Sequence, residues 1–511
     1  MLDIRNVTIS NKEDNRVLIE NFNFTLNKGD KAVIIGEEGN GKSTLLKFIY
    51  NSSLIDDYCE YTGQILGNCK LGYLEQEIED KWLSFSVKDY LSQVDIYSCS
   101  NPLIWTMNLN AELMISDQIL GTLSGGEKVK IRLMKLLAEE PDILLLDEPT
   151  NDLDMDTLRW LEDFINQSNC PILFVSHDET LIENTANVII HLEQLKRKTM
   201  PKYNIEYMGY KEYVEKRLHG LQKQETIARK QREDYKKQMQ RFQQLFEKVE
   251  HRQDTISRQD PAGGRLLKKK MKNLKSMEKR FEKNTEEFLE IPDVEEAILF
   301  RFPDDIQIPN GKKVLEYNLD KLTVPQDENR VLAEHVSLRV IGAEHVAIIG
   351  DNGTGKTTFL RNVAKELLER KDIKASYMPQ NYEELLDYDM LPIDFLVSSG
   401  QKEDITKAFT YMGGMKFTRD EMEHRIGDLS GGQKAKLILL NMILQGCNVL
   451  ILDEPTRNLS PLSNPVIRGV LSDFNGTIIS VTHDRKYIEE VSTVVYKLTK
   501  HGLQKVDNMF V

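Results

Sequence analysis

Two glycine-rich segments of the sequence have the residue types that a phosphate-binding loop requires. They read GEEGNGKS over residues 36–43 and GDNGTGKT over residues 350–357, and each follows an apolar run and precedes a helical pattern. In that context glycines let backbone N–H groups wrap phosphates, and the helix N-terminus adds a favourable dipole. The predicted nucleotide-binding residues are Gly36, Gly39, Gly41, Lys42, Ser43 and Thr44 in the first loop, and Gly350, Gly353, Gly355, Lys356, Thr357 and Thr358 in the second.

The polar residues of these loops have separable roles. Lys42 and Lys356 are expected to reach the β and γ phosphates of a nucleotide, and Ser43 and Thr357 to coordinate Mg²⁺. A single loop of this kind could arise by chance, but two at matched positions indicate function.

Paired carboxylates follow two further apolar runs, LLLDE and LILDE. Asp147 and Asp453 are expected to bind Mg²⁺ through its water shell. Glu148 and Glu454 are expected to orient or deprotonate the attacking water. An acidic pair at a strand end is more often a solvated loop, and its position after a phosphate-binding loop is what favours catalysis.

Two histidines and two glutamines complete the predicted sites. His177 and His483 lie about 30 residues after the acidic pairs, at strand ends where an imidazole can contact the γ phosphate. Gln76 and Gln380 fit sensors of Mg²⁺ and water. Each of these residue types is usually structural or on the surface, so the assignment depends on the surrounding motifs.

These residues belong to two copies of one domain. The stretch beginning NRVLIENFNF at Asn15 returns as NRVLAEHVSL at Asn329, which is 314 positions later, and the later motifs repeat at a spacing of 306. Buried-strand patterns such as KAVIIG and ILLLDE alternate with amphipathic helices. The pattern predicts an α/β fold with a mainly parallel sheet in each copy.

A helical segment is predicted between the copies. From Val214 to Val249 apolar residues recur at alternating steps of four and three, and a second stripe runs from Leu267 to Phe281. A break between two antiparallel helices is expected at Pro261, Gly263 and Gly264. The predicted domains are therefore residues 1–206, a helical hairpin linker over residues 207–290, and residues 291–511.

The linker differs sharply in charge from the rest of the chain. The formal net charge of the protein is -14, yet residues 211–283 contain 22 basic and 11 acidic side chains. A basic segment between acidic flanks favours contact with a phosphate backbone at a defined position, although a solvated helix face is the alternative.

Composition excludes several classes of protein. The five cysteines form no Cys-x-x-Cys pair, which argues against zinc sites and a secreted disulfide framework and favours a cytoplasmic location. The opening MLDIRNVTIS does not have the pattern of a signal peptide, and no apolar run approaches the ~20 residues needed to span a bilayer. Neither a membrane nor a transmembrane partner is expected.

The segments LSGGEK and LSGGQK complete a set of motifs that resembles the ATP-binding cassette ATPases over all of the chain except the linker. The resemblance implies ATP and Mg²⁺ as ligands, and a monomer whose two cassettes close head to tail on two ATP molecules. It implies that Ser430, Gly431 and Gly432 close on the ATP held by Lys42, and Ser124, Gly125 and Gly126 on the ATP held by Lys356.

The second copy departs from the family pattern. The first copy has Asp154 in TNDLD, where the family usually has aspartate, but the second has Ser460 in TRNLS. We therefore expect two unequal sites. The segments before the loops contain no evident aromatic residue to stack on adenine, so the sequence leaves the choice between ATP and GTP open.

The position of the linker between two complete cassettes resembles the ABC-F family of ribosome-binding ATPases, rather than transporters, excision-repair sensors or chromosome-maintenance ATPases. The resemblance implies that the linker occupies the ribosomal exit-tRNA site and contacts rRNA and peptidyl tRNA through lysines and arginines, namely Lys268, Lys269, Lys270, Lys272, Lys275, Lys279 and Arg280.

Two branches of this family remain as alternatives. The segments SRQDPAGGRLLKKK and DEPTRNLSPLS resemble the antibiotic-resistance branch, which protects ribosomes from lincosamides, streptogramin A and pleuromutilins. A housekeeping translation factor is the alternative. The apex of the linker, expected to influence drug protection, is predicted between Gln253 and Arg258.

Overall fold

The computed structural model of the protein describes residues 1–95, 111–151, 153–195, 200–255, 261–285, 301–303, 306–324, 327–397 and 401–506. The chain divides into two compact units. One contains Met1–Tyr213 and Ile298–Val511, and the other is Val214–Ala297. Residues 1–206 and 298–511 of the two predicted cassettes therefore lie in the first unit.

The N-terminal half of the chain contains an antiparallel layer and a mainly parallel sheet. Its strands are β1 (Leu2–Asn11), β2 (Val17–Leu26), β3 (Lys31–Ile35), β4 (Cys59–Leu66), β5 (Leu71–Leu74), β6 (Ile143–Asp147), β7 (Ile172–Val175), β8 (Val188–Gln194) and β9 (Met200–Glu206). Its helices are α1 (Lys42–Tyr50), α2 (Asp80–Leu83), α3 (Val87–Leu91), α4 (Ala111–Met114), α5 (Gly125–Ala138), α6 (Met155–Gln167) and α7 (Glu179–Thr185), with 3₁₀ turns at Ser52–Ile55 and Leu120–Thr122.

Two long helices, α8 (Tyr210–Thr255) and α9 (Pro261–Thr285), precede the C-terminal half. The strands of that half are β10 (Lys313–Val324), β11 (Asp327–Ile341), β12 (His345–Ile349), β13 (Ala375–Met378), β14 (Val449–Asp453), β15 (Thr477–Val481), β16 (Val494–Thr499) and β17 (Gly502–Val506). Its helices are α10 (Lys356–Leu368), α11 (Pro392–Leu396), α12 (Lys402–Gly414), α13 (Arg419–Glu423), α14 (Gly431–Leu444), α15 (Asn464–Ser472) and α16 (Arg485–Val491), with 3₁₀ turns at Tyr382–Glu384 and Ile426–Asp428.

The order of the strands brings the predicted motifs together. The main sheets have the orders β5-β6-β7-β3-β8-β9 and β13-β14-β15-β12-β16-β17. In the first sheet β9 runs antiparallel to β8 and the other neighbouring pairs are parallel. Because β7 separates β3 from β6, the phosphate-binding loop and the acidic pair lie two strands apart at the carboxyl edge of the sheet, where α/β folds bind ligands.

The central strands are buried, as their apolar sequences predict. All five residues of β3 and all five of β6 are buried, and the same holds for β12 and β14. Strands covered by structure on both faces read as continuous apolar runs rather than alternating ones. The predicted α/β architecture with two cassettes is confirmed.

The long helices follow the predicted periodicity with local differences. Ala228 and Phe242 on α8 and Leu274 on α9 are buried, but Leu218 and Met277, which the pattern placed in the stripes, are exposed. At ~1.5 Å per residue, the 46 residues of α8 span roughly 69 Å. This length suits a segment that reaches beyond a small domain.

The predicted break between the helices was wrong in its position. Pro261 is the first residue of α9, and Gly263 and Gly264 lie within that helix. A proline is tolerated in the first turn because the N–H that it lacks has no partner within the helix there. The predicted apex at Gln253–Arg258 lies partly outside the described residues, which stop at residue 255 and resume at residue 261.

In the part of the chain that the structure describes, no helix is long and apolar enough to span a bilayer. Cys59, Cys69, Cys170 and Cys447 are free thiols.

Candidate nucleotide-binding sites

The two glycine-rich loops connect buried strands to helices, as predicted. Gly36 and Gly350 have φ angles of 146° and 150°. A Cβ atom at Gly36 would lie 2.3 Å from the carbonyl oxygen of Leu192, and one at Gly350 would lie 2.6 Å from that of Leu498. Both positions therefore require glycine, because the loop backbone passes close to a neighbouring strand.

The loop lysines are held inside their own loops. Lys42 Nζ donates to the carbonyl oxygens of Gly36 and Glu37, both at 2.9 Å. Lys356 Nζ donates to those of Gly350 and Asp351 at 2.8 and 2.9 Å. Both side chains are buried, and burial lowers the pKa of Lys356 despite the nearby Glu454. The ammonium groups are thus placed where a phosphate chain would enter the loop.

A hydroxyl and a carboxylate meet at each site in a pair suited to a divalent cation. Ser43 Oγ donates to Asp147 Oδ1 at 2.8 Å, and Thr357 Oγ1 donates to Asp453 Oδ1 at 3.4 Å. Oxygen donors of this kind are the ligands that Mg²⁺ prefers. Burial raises the pKa of Asp453 to about 6, opposed by Thr357 and Arg361, and raises that of Asp147 as well.

The second oxygen of each aspartate differs between the sites. Asp147 Oδ2 accepts a hydrogen bond from the Tyr73 hydroxyl at 3.1 Å. Asp453 Oδ2 is buried and has no hydrogen-bond partner among the described residues. A buried carboxylate oxygen without a partner is costly, and a cation or its bound water would satisfy it. The residues present therefore fit Mg²⁺.

The predicted catalytic glutamates occupy a strained backbone conformation. Glu148 has φ 45° and Glu454 has φ 52°, in the left-handed region that non-glycine residues seldom adopt. Such strain costs ~1–3 kcal/mol and is concentrated at functional sites. In both halves the glutamate follows directly after a central strand, so the strain lies at equivalent positions of the two sites.

Glu148 lies in a dense set of donors. Its Oε2 accepts hydrogen bonds from Asn151 Nδ2 at 2.9 Å and Gln76 Nε2 at 3.1 Å. His177 Nε2 lies 3.3 Å from Oε1. Burial alone would raise the pKa of Glu148, but His177, Asn151 and Lys42 outweigh it and lower the pKa to about 2. The structure therefore brings Gln76, Glu148 and His177 together, as predicted.

Glu454 has a different environment. Its Oε2 accepts a hydrogen bond from the backbone N–H of His483 at 3.3 Å, and its Oε1 lies 3.7 Å from His483 Nε2. Burial and the adjacent Asp453 raise the pKa of Glu454. Burial and Lys356 lower the pKa of His483 to about 3. Gln380, Glu454 and His483 line one cavity, so the predicted residues are again together. Glu454, however, has different hydrogen-bond partners from those of Glu148.

The LSGG segments begin long helices, and each is fixed by a capping box. Ser124 Oγ accepts from the backbone N–H of Glu127 at 3.3 Å, and the Glu127 carboxylate accepts from the N–H of Ser124 at 2.9 Å. Ser430 and Gln433 repeat this arrangement at α14. Gly126 and Gly432 are buried behind these caps, and a Cβ atom at Gly126 would lie 2.6 Å from Thr157 Oγ1. Each capping box satisfies the backbone N–H groups of the serine and of the third helical residue.

Each LSGG helix lies at the loop of the other half. A cavity of about 550 Å³ is lined by Lys356, Thr357 and Thr358 of the second loop and by Gly125 of the first half. A second cavity of about 650 Å³ is lined by Lys42 and Thr44, among others, together with residues 457 and 458. Gly431 and Gly432 lie at the first loop, where the N–H of Gly432 donates to Glu38 Oε2 at 3.1 Å. Each half therefore places its LSGG segment at the loop of the other, and closure of these segments on ATP stays a prediction.

Asp154 and Ser460, which occupy equivalent positions in the two halves, also have different surroundings in the structure. Asp154 Oδ1 accepts from the backbone N–H of Thr157 at 2.9 Å and caps α6. Ser460 is buried and its Oγ accepts from the N–H of Ser463 at 3.2 Å. Each residue thus stabilises a local turn, but Asp154 brings a carboxylate into the field of Lys356 and His483, whereas Ser460 is neutral.

Several functional contacts were not predicted from the sequence. Asn151, Tyr73 and Glu38 were missed, and so was Arg132, which donates to the carbonyl oxygens of Glu75 and Glu77 at 2.6 and 3.3 Å and so holds the backbone on both sides of Gln76. The internal repeat contained one sign of this difference between the sites, because the position of Asn151 is occupied by Arg457 in the second half.

These loops, acidic strand ends and capped helices, repeated on two mainly parallel sheets, define a twin-cassette nucleotide-hydrolysing protein. The sequence profile of the ABC transporter family matches residues 19–151 and 333–457. The chain belongs to the ABC-F group of ATP-binding cassette proteins, and it is an ATPase that uses ATP and Mg²⁺.

Curated relatives match nearly the whole chain. Ribosome protection protein VmlR of Bacillus subtilis is 30% identical, over 97% of this chain and 87% of its own length. ATP-binding protein Uup of Buchnera aphidicola is 28% identical, over 98% and 81%. ABC transporter F family member 2 of Arabidopsis thaliana is 25% identical, over 98% and 77%.

Solved structures support the fold. An archaeal ribosome recycling factor, aABCE1, solved with the stalk protein aP1, matches with a TM-score of 0.59 and 15% identity, covering 98% of this chain and 90% of that one. A structure of RNase-L Inhibitor matches with a TM-score of 0.57 and 15% identity over the same shares. At these identities the likeness establishes the two-cassette fold.

Proposed function

We propose that this ATPase is a cytoplasmic monomer that binds the ribosome at the exit-tRNA site and protects the peptidyl-transferase centre from antibiotics. The drug classes proposed are lincosamides, streptogramin A and pleuromutilins. Similarity to a ribosome protection protein of Bacillus subtilis supports this assignment. In the proposed complex, α8 and α9 contact rRNA and the peptidyl tRNA.

The observation that carries the proposal is the basic face of α9. Lys268, Lys269, Lys270, Lys272 and Lys275 are exposed, whereas Leu274 of the same helix is buried. Lys268, Lys272 and Lys275, spaced by four and three positions, form a row on one side of the helix, and Lys269 and Lys270 extend the charge around it. The whole chain has a net charge of -14. A row of this kind suits a nucleic-acid backbone, because each neutralised phosphate releases condensed counterions.

The two cassettes supply the hydrolytic chemistry. Glu148 is proposed to orient and deprotonate the attacking water at the first site, with Gln76 and Asn151 fixing its carboxylate by hydrogen bonds. His177 and Lys42 are proposed to contact the terminal phosphate. Glu454, Gln380, His483 and Lys356 are proposed to have the corresponding roles at the second site.

Mg²⁺ would be held by Ser43 and Asp147 at the first site and by Thr357 and Asp453 at the second. When bound, the cation neutralises charge on the phosphates. The aspartates keep their side chains fixed through the hydroxyl contacts already described, and Tyr73 adds a second anchor at the first site.

A translation factor without a role in drug protection is the second candidate. It is favoured by relatives whose names carry no such role and whose similarity is almost as high, among them Uup at 28% identity and the probable ATP-binding protein YheS of Escherichia coli at 27%.

Expression in a drug-susceptible bacterium separates the two candidates. We expect the inhibitory concentrations of the three proposed drug classes to rise while that of an aminoglycoside, which binds elsewhere, stays constant. Purified protein should also restore peptide synthesis on drug-inhibited ribosomes. Cosedimentation with ribosomes without any change in susceptibility would favour the translation factor. Absence of both cosedimentation and any change in susceptibility would contradict ribosome binding itself.

A further inference from the structure

The first phosphate-binding loop contains an acidic residue at a position where the second loop is neutral. Glu38 corresponds to Asn352 in the internal repeat. Glu38 lines the cavity that contains Lys42, and Asn352 lines the cavity that contains Lys356, so both residues lie at the predicted nucleotide sites. The two loops otherwise share their glycines, their lysine and one acidic residue, so this is the one difference in formal charge between residues 36–43 and residues 350–357.

The Glu38 carboxylate reaches across to the LSGG segment of the other cassette. Its Oε2 accepts a hydrogen bond from the backbone N–H of Gly432 at 3.1 Å. Gly431 is equally close, since a Cβ atom on it would lie 3.1 Å from the same oxygen. Gly431 and Gly432 are the first two residues of α14, a helix of 14 residues, so the carboxylate lies at the positive end of a helix dipole.

We propose that Glu38 is an internal competitor for the terminal phosphate of ATP at the first site. The N–H of Gly432 is the donor that the proposed closure of the LSGG segment directs at that phosphate. The carboxylate and the phosphate are both anions and both acceptors, so they cannot share this donor. ATP must displace Glu38 and then tolerate its charge nearby, whereas at the second site Asn352 is neutral and can donate as well as accept.

The consequence is selective for the third phosphate. ADP ends before the position of the terminal phosphate, so its affinity should depend little on Glu38. The first site should therefore discriminate less strongly in favour of ATP over ADP than the second site does. This inference depends on the assignment of the cavity at Lys42 to ATP, but it does not depend on ribosome binding.

The test isolates one site at a time in the full-length chain. Lys356→Ala would disable the second site and Glu148→Gln would stop turnover at the first. Fluorescent ATP and ADP analogues would then be titrated with and without Glu38→Gln, which removes the charge but keeps the shape. We expect roughly tenfold tighter ATP binding and an ADP affinity changed by less than about twofold, the scale of one charge-assisted hydrogen bond.

A reciprocal variant provides the matched control. In a background of Lys42→Ala and Glu454→Gln, Asn352→Glu should weaken ATP binding at the second site by a similar factor and spare ADP. Equal effects on ATP and ADP, unchanged ATP affinity, or weaker ATP binding in Glu38→Gln would each overturn the inference. Complete loss of ATP binding in the background of Lys356→Ala and Glu148→Gln would overturn the assignment of the cavity at Lys42 to ATP. Failure of drug protection would leave this result unaffected.

Discussion

The guanidinium group of Arg468, in the second cassette, forms a two-pronged ion pair with the carboxylate of Glu179 in the first. Nη1 and Nη2 of Arg468 donate to the two oxygens of Glu179 at 2.5 and 3.2 Å, although the residues are 289 positions apart. Arg468 is only 2% exposed and Glu179 only 5%. Arg468 Nε also donates to Glu490 at 2.7 Å, so two carboxylates share one buried cation.

Further ion pairs near Arg468 also join an acid of the first cassette to a cation of the second. Arg485 donates to Glu162, and Lys486 donates to Glu183 at 2.5 Å. The first cassette supplies the acids and the second supplies the cations, and in the internal repeat Glu162 corresponds to Arg468 and Glu179 to Arg485. Two copies of either cassette would place like charges opposite one another. The pattern therefore favours the proposed pairing of two unlike cassettes within one chain.

Removal of Arg468 should destabilise the protein through this contact. Burial raises the pKa of Glu179 even with Arg468 beside it. Arg468→Met would therefore leave a buried acid that keeps Lys486 Nζ, 3.7 Å away, but loses its two-pronged partner. We expect a loss of ~3–5 kcal/mol in the free energy of unfolding. Denaturant unfolding of the variant would measure the loss, and Glu179→Leu in the same chain should recover much of it. A double variant no more stable than Arg468→Met would contradict the pairing.

The catalytic assignment is tested by changing both glutamates. Glu148→Gln with Glu454→Gln should abolish ATP hydrolysis but preserve ATP binding, because the amide keeps the shape of the carboxylate and cannot accept a proton. The closed form should accumulate, and the variant should cosediment more stably than wild type with ribosomes in the presence of ATP. Normal hydrolysis by the double variant would disprove the assignment.

The single substitutions test whether the sites are unequal. Glu148 has three side-chain partners and a lowered pKa, whereas burial and Asp453 raise the pKa of Glu454. We therefore expect Glu148→Gln and Glu454→Gln to leave different residual hydrolysis rates. Steady-state phosphate release from the two variants, at matched protein and saturating ATP, measures this. Equal rates would remove the case for asymmetry.

The lysines of α9 should determine ribosome affinity and its salt dependence. Replacing Lys268, Lys269 and Lys270 with Glu turns favourable phosphate contacts into repulsive ones, so binding should weaken and its dependence on salt should flatten. Cosedimentation with ribosomes over a range of salt concentrations measures both. Lys365→Glu, on α10 of the second cassette, is a control with an exposed lysine. Wild-type binding by the triple variant at all salt concentrations would contradict a phosphate-contacting role.

The sequence by itself determined the two-cassette fold, the positions of both loops and the acidic strand ends. Each of these features lies in a contiguous segment whose chemistry is local: glycines permit the loop, apolar runs form buried strands, and a serine caps the helix that follows it. The internal repeat then showed that the set occurs twice. The long helices were also predictable, although Pro261 was assigned to a break and instead begins α9.

Only the tertiary structure decided which atoms join the two halves. His177 Nδ1 donates to the carbonyl oxygen of Leu459 at 2.9 Å, across 282 positions, and this contact involves a backbone atom that any residue could supply. The contacts of Glu38 with Gly432 and of Glu179 with Arg468 likewise join residues whose local sequences give no sign of one another. Such contacts depend on how two folded surfaces approach each other in space. The distance between the contacting residues is set by packing rather than by their order along the chain.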